Sequence, residues 1–146
     1  MDYAALAREE GWGRFYASIP DFAQAFEQLQ RVVHGLPDDL AARAKDFGFP
    51  HLHRACVNGD LELVKALLAA GIGPDLYPCT EDEDDETPLV WLAQSEDMTI
   101  ELKIQVSELL LAHGASVDEG DPVEHALEVG DDAFAEFLKA NGAGVE

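Results

Sequence analysis

Six consecutive carboxylates, Glu81, Asp82, Glu83, Asp84, Asp85 and Glu86, form the most chemically distinctive stretch of the chain. Such a run cannot be buried, because its members repel one another and each would lose its hydration. Two readings follow. The run is either a docking strip for Lys and Arg side chains of a partner, served by charge-assisted hydrogen bonds and electrostatic steering, or a solvated loop. Calcium binding is a third and weaker reading, because the run lacks the D-x-D-x-D-G-x5-E spacing with its turn glycine.

The other candidate chemistry reads as structure. His51, His53 and Cys56 have the look of an H-x-H-x2-C metal cluster, but residues two apart on a helix do not share a face. Cys56 and Cys79 stand in no metal-ligand spacing and imply no disulfide framework, which points to a reducing cytoplasm. The chain has no P-loop, no G-x-S-x-G, no G-x-G-x-x-G and no H-E-x-x-H. Its carboxylates show no arrangement that would set one as acid and another as base. The expectation is a non-enzyme with no cofactor and no metal.

Charge narrows the partners. The 146 residues carry a net charge of -21. Residues 1–73 hold 10 Asp/Glu against 7 Lys/Arg, whereas residues 74–146 hold 20 against 2. That field repels nucleic acid and anionic membranes and attracts basic protein surfaces. Solubility alone explains the size of the charge better than its lopsidedness. The first residues lack the basic and apolar regions of a signal peptide. No apolar run reaches the roughly 18–20 residues that span a bilayer. With 47% apolar residues, the chain has enough for a core.

The elements that position these residues fall into two zones. Residues 1–49 hold 8 of the 12 aromatics and read as helices. One helix is expected over residues 2–10. A second starts at Pro20-Asp21, with Asp21 as N-cap, and buries Phe22, Ala25, Phe26, Leu29, Val32 and Val33 at spacings of three and four. Gly35 stops it. A third runs over residues 38–47 and Gly48 closes it. Trp12, Phe15 and Tyr16 sit between the first two as core or as a docking patch, core being the simpler use.

The second zone repeats itself. Units begin at Pro50, Thr87 and Asp121, and each reads as a short helix, a turn, a second helix and a glycine stop. Leu52-His53-Arg54-Ala55 with Gly59, then Val64, Leu67, Leu68 and Gly71, make the first unit. Thr87-Pro88-Leu89, then Leu110, Leu111, Gly114 and Ala115, make the second. Asp121-Pro122-Val123, with Ala126, Gly130, Ala135 and Gly142, make the third. Pro is tolerated at the first helical position, so Thr or Asp before it marks a helix start.

These units resemble the ankyrin repeat, with its TPLHxAAxxG opening and V-x-x-LL-x-x-GA close. The resemblance implies an all-α fold: a short ankyrin-repeat solenoid of about three irregular repeats (50–73, 87–115, 121–143). Residues 1–49 would form an N-terminal helical cap, packed with residues 50–146 as one domain, with at most a little β structure in the finger. The second unit departs from the pattern by about six extra residues around Gln94–Glu101, and it lacks the turn glycine. The connector before Thr87 is about four residues long by family standards, and that before Asp121 about five short.

The resemblance also implies protein binding, through the fingers and through the concave groove. Val57, Asn58, Gln94, Ser95, Glu128 and Val129 occupy groove positions. His53 matches a structural histidine, and Trp91 takes a normally aliphatic position between repeats. A compact acidic chain of this kind is also similar to bacterial immunity proteins, which block a toxin. The expected partner is a protein with a basic surface, met in the cytoplasm by a chain that is monomeric when free. A non-inhibitory adaptor or scaffold is the alternative.

Overall fold

The computed structural model describes residues 1–78 and 86–144, and every regular element among them is a helix. The N-terminal zone folds as α1 (Tyr3–Glu9), α2 (Gly13–Ser18), α3 (Pro20–His34) and α4 (Asp38–Phe47). The expected stripe of α3 is buried through Phe22, Ala25, Phe26, Leu29 and Val33, while Val32 lies half-buried. Phe49 joins this zone to the repeats. Its ring stands 5.0 Å from that of Phe22 and 5.5 Å from that of Phe26. Each such ring contributes about 2–3 kcal/mol by leaving water.

Two local expectations are corrected here. Asp21 is not the N-cap of α3. Ile19 holds that position without a side-chain bond, Pro20 is the first helical residue, and Asp21 favours the helix dipole from the first turn. Residues 13–18, which lie outside the expected helices, also coil into α2, and Trp12, Phe15, Tyr16 and Ile19 stand at helical spacing along it. Tertiary contacts hold them: Tyr16 donates its hydroxyl to Glu27 of α3 at 2.5 Å, and Trp12 packs its ring 5.5 Å from Phe49. Trp12, Phe15 and Tyr16 are thus half-buried on the core.

Three helical hairpins follow: α5 (His51–Val57) with α6 (Leu61–Ala69), α7 (Pro88–Gln94) with α8 (Ile100–Ala112), and α9 (Pro122–Glu128) with α10 (Asp132–Ala140). First helices stack on first helices and second on second, while α4 packs on both α5 and α6 and closes the N-terminal end. One continuous apolar core runs from Ala7 to Ala143. The helical turns begin on side-chain caps where the sequence supplies them. Asp60, Thr87, Thr99 and Asp131 accept from the third backbone N–H beyond each.

Asp121 does not act as a cap. It sits in the left-handed region at φ 57° with no side-chain bond to the helix, directly after Gly120 at φ 77°. The short connector has to turn within these two residues. Gly120 is required there on a second count, because a Cβ would lie 2.9 Å from both Glu86 Oε2 and Val90 Cγ2.

The insertion in the second unit now has an anatomy. α6 and α10 are nine residues long and α8 is thirteen, so four of the six extra residues add one turn to the start of α8. The other two lengthen the turn before it. The added turn carries Leu102 and Lys103 into neighbouring repeats. Leu102 comes so close to the turn of the first hairpin that a Cβ on Gly59 would lie 2.3 Å from its Cδ2. Lys103 is buried (1% exposed) and donates to Asp131, the cap of α10, at 2.6 Å. Arg43 of α4 treats the cap of α6 alike, gripping Asp60 at 2.9 and 3.1 Å and Glu62 at 2.8 Å.

Candidate binding groove and finger

The first helices of the hairpins line one side of the stack, and the groove residues lie along it. Val57, Gln94 and Ser95 share a cavity of about 360 Å³ with Arg54 and Trp91. Asn58 is exposed at its edge, and its amide donates back to the Arg54 carbonyl at 2.7 Å. Gln94 donates to His125 Nδ1 at 3.0 Å and so ties the second repeat to the third. Glu128 stands exposed beyond, one helical turn from His125. The groove therefore runs from a cationic end at Arg54 to an anionic end at Glu128.

Trp91 belongs to this surface rather than to the inter-repeat core. Its ring is only half-buried, set edge-on to the imidazole of His53 at 5.0 Å between centroids. An indole is too large for the space an aliphatic side chain fills there, so part of it projects into the groove. Arg54 is the other groove residue that motif reading passes over. It stands three positions before Val57 and four before Asn58, the spacing of one helical face.

His51, His53 and Cys56 are all buried, and among the described residues no group of side chains is arranged to hold a metal. His53 has a structural task. Burial pushes its pKa down to about 4, with hydrogen bonds to the backbone of Glu86 and Leu76 opposing part of the fall. The imidazole is neutral at pH 7, and its Nε2–H donates to the Glu86 carbonyl at 2.7 Å. Glu86 closes the acidic run, so this buried side chain holds the finger at its C-terminal root. Burial likewise drives the Cys56 thiol well above its ordinary range.

The residues that lead into the finger rest on the next connector. Tyr77 donates to Glu119 at 2.6 Å, which raises the pKa of the phenol. The Asp75 carboxylate accepts from the Ser116 amide at 3.0 and 3.2 Å. Glu86 is half-buried here with its carboxylate beside Gly120. Glu81, Asp82, Glu83, Asp84 and Asp85 lie outside the described residues, as does Cys79.

A second acidic surface escaped sequence reading. Beside α9 a cleft of about 530 Å³ is lined by Asp118, Asp121, Glu124 and Leu127. Leu127 is 47% exposed and Val129 36% exposed, which with Met1 makes them the exposed large apolar side chains among the described residues. Both lie among carboxylates. Their only sequence signal is the helical spacing of Val123 and Leu127, which in isolation reads as a buried stripe.

Comparison with known proteins agrees with this architecture. A family profile described as ankyrin repeats, three copies, matches residues 52–146. No curated protein and no solved structure matches the chain. No helix among the described residues is long and apolar enough to cross a membrane. Three stacked helical hairpins with a lined groove, matched over about two thirds of the chain, place it in the ankyrin-repeat family, whose members are protein-binding modules.

Proposed function

We propose that this chain is an inhibitor of a basic protein, of the kind that protects a cell from a toxin by covering its active site. The observation that carries the reading is the segregation of charge: residues 74–146 hold 20 Asp/Glu against 2 Lys/Arg. The same half carries the finger and the acidic cleft, which the exposed Leu127 lines. Carboxylates around a few exposed apolar side chains suit a partner whose Lys and Arg surround a hydrophobic anchor. Toward an enzyme acting on nucleic acid or nucleotides, the acidic surface would stand where phosphates bind. The reducing cytoplasm assigned from cysteine usage is in keeping with Cys56, which is a free thiol buried in the core.

The test is binding and inhibition against a toxin encoded beside this chain. Affinity is measured by calorimetry at low and high salt, for the parent and for a variant with Glu81–Glu86 replaced by Gln and Asn. Nanomolar binding that weakens with salt and with neutralisation, together with loss of the toxin's activity, is the expected result. Tight binding that leaves the partner fully active makes the chain an adaptor and overturns inhibition. Binding unchanged by neutralisation removes the finger from the interface.

A further inference from the structure

The acidity of the chain reverses at one place. Between the N-terminal helices and the first repeat lies a cavity of about 570 Å³, a volume suited to a small organic ligand. One wall is apolar: Trp12, Phe47 and Phe49 line it. The other is basic: His34 at the end of α3, Lys45 in the last turn of α4, and His51 and Arg54 of α5 all reach it. These four groups are near enough to feel one another's charge: burial is the main cause that lowers the pKa of His34 and of His51, with Lys45 adding to the fall at His34, and Arg54 and His34 to that at His51. Four basic groups converge here in a chain with only nine Lys and Arg and five His.

A single carboxylate, Glu10, faces them, and the Gln30 amide donates to it at 3.3 Å. His51 supplies the second, independent sign of a ligand. It is 1% exposed, and its Nδ1 is buried with no hydrogen-bond partner among the described residues. A buried polar nitrogen left unpaired costs about 1–3 kcal/mol, which an incoming acceptor would recover. The neutral imidazole can present Nδ1–H to such an acceptor, while Lys45 and Arg54 supply the charge.

We propose that this cavity binds a carboxylate carried on an apolar or aromatic body. The carboxylate meets Lys45, Arg54 and His51, and the body lies against Trp12, Phe47 and Phe49. The site is separate from the acidic surface, although Arg54 also lines the groove and links the two.

The experiment uses the full chain carrying Trp91→Phe, so that Trp12 is the sole tryptophan and its fluorescence reports on the cavity. Phenylacetate stands for a free small acid, and the dipeptide acetyl-Leu-Phe stands for the carboxyl terminus of a peptide. Phenylacetamide is the uncharged control. Thermal stabilisation of the unsubstituted chain by the same probes gives a second readout independent of the Trp91 change.

Saturable binding of either acid, with no response to the amide, is expected, and the tighter acid identifies the source of the carboxylate. Lys45→Glu, on an exposed side chain, is expected to weaken binding by about tenfold or more through loss of a charge-assisted contact. Three results overturn the proposal: no saturable response to either acid, equal binding of acid and amide, or binding unaffected by Lys45→Glu.

Discussion

Removing either partner of the Lys103–Asp131 pair deletes the same ion pair, yet the two removals should differ sharply. Lys103 is 1% exposed and Asp131 is 22% exposed, and their charged atoms are 2.6 Å apart. At an effective dielectric of about 20 the attraction is about 6 kcal/mol, most of it spent against the desolvation of the ammonium. Asp131→Asn keeps a side chain that caps α10 but strands the buried ammonium. The Phe134 ring, 5.4 Å away, remains beside it. The expected loss is about 3–5 kcal/mol.

Lys103→Met keeps the apolar stem and leaves a carboxylate that still reaches water and still accepts from the Phe134 amide at 3.1 Å. Its loss should be about 1 kcal/mol. The double variant should return to within about 1 kcal/mol of the parent, a coupling of about 3–5 kcal/mol. Urea unfolding followed by circular dichroism measures each value. For a chain of 146 residues, a loss of 3–5 kcal/mol corresponds to about 10–16 °C in Tm. Equal losses for the two single variants, or additive losses in the double variant, would refute the asymmetry and with it the role assigned to burial.

Other expectations follow from the same contacts. Gly59→Ala combines a residue forced to φ 68° with a clash against Leu102, and should lose about 2–4 kcal/mol; Leu102→Ala should recover the clash portion in equilibrium unfolding, and no recovery would place the whole cost in the backbone. Burial lowers His51 and His53 to about 4 in the folded chain, whereas the unfolded chain protonates near 6.5. The unfolded state therefore takes up protons first, so stability is complete above pH 6.5 and falls as pH drops toward 4. By pH 5 the loss is about 2 kcal/mol for each histidine, and urea midpoints that stay level from pH 7 to 5 would contradict it. In a Cys79→Ser chain, the remaining thiol of Cys56 should react with a thiol reagent only as fast as the protein opens, because it is wholly buried; fast labelling of the native chain would disprove that placement.

Much of the architecture is legible along the chain because it depends on local chemistry. The α3 stripe of Phe22, Phe26, Leu29 and Val33 follows from a spacing of three and four. The helix start at Thr87-Pro88 follows from a hydroxyl cap and a proline without an amide hydrogen. α4 begins and ends on the residues expected from Asp38 and Gly48. α2 was harder to read: Trp12, Phe15, Tyr16 and Ile19 do follow a spacing of three and four, but six residues are too short to hold a helix without tertiary contacts such as Tyr16 with Glu27. Asp121 misled for the opposite reason: its type suits a cap, but the shortened connector twists it out of reach of the helix.

For the groove and finger, sequence by itself determined which residue types occupy which register, and how charge divides between the two halves. The repeat spacing set Val57, Gln94 and Glu128 on equivalent first helices, and the acidic run announced itself by composition. What meets what was decided by the tertiary structure. His53 holds the finger at Glu86, and α4 and α8 deliver Arg43 and Lys103 to the caps of other helices. Trp91 opens onto the groove, and four basic groups from α3, α4 and α5 gather around one cavity. Periodicity acts within a helix and over one turn. These encounters span 17 to 33 residues of chain, and only the stacking of whole hairpins brings such positions together.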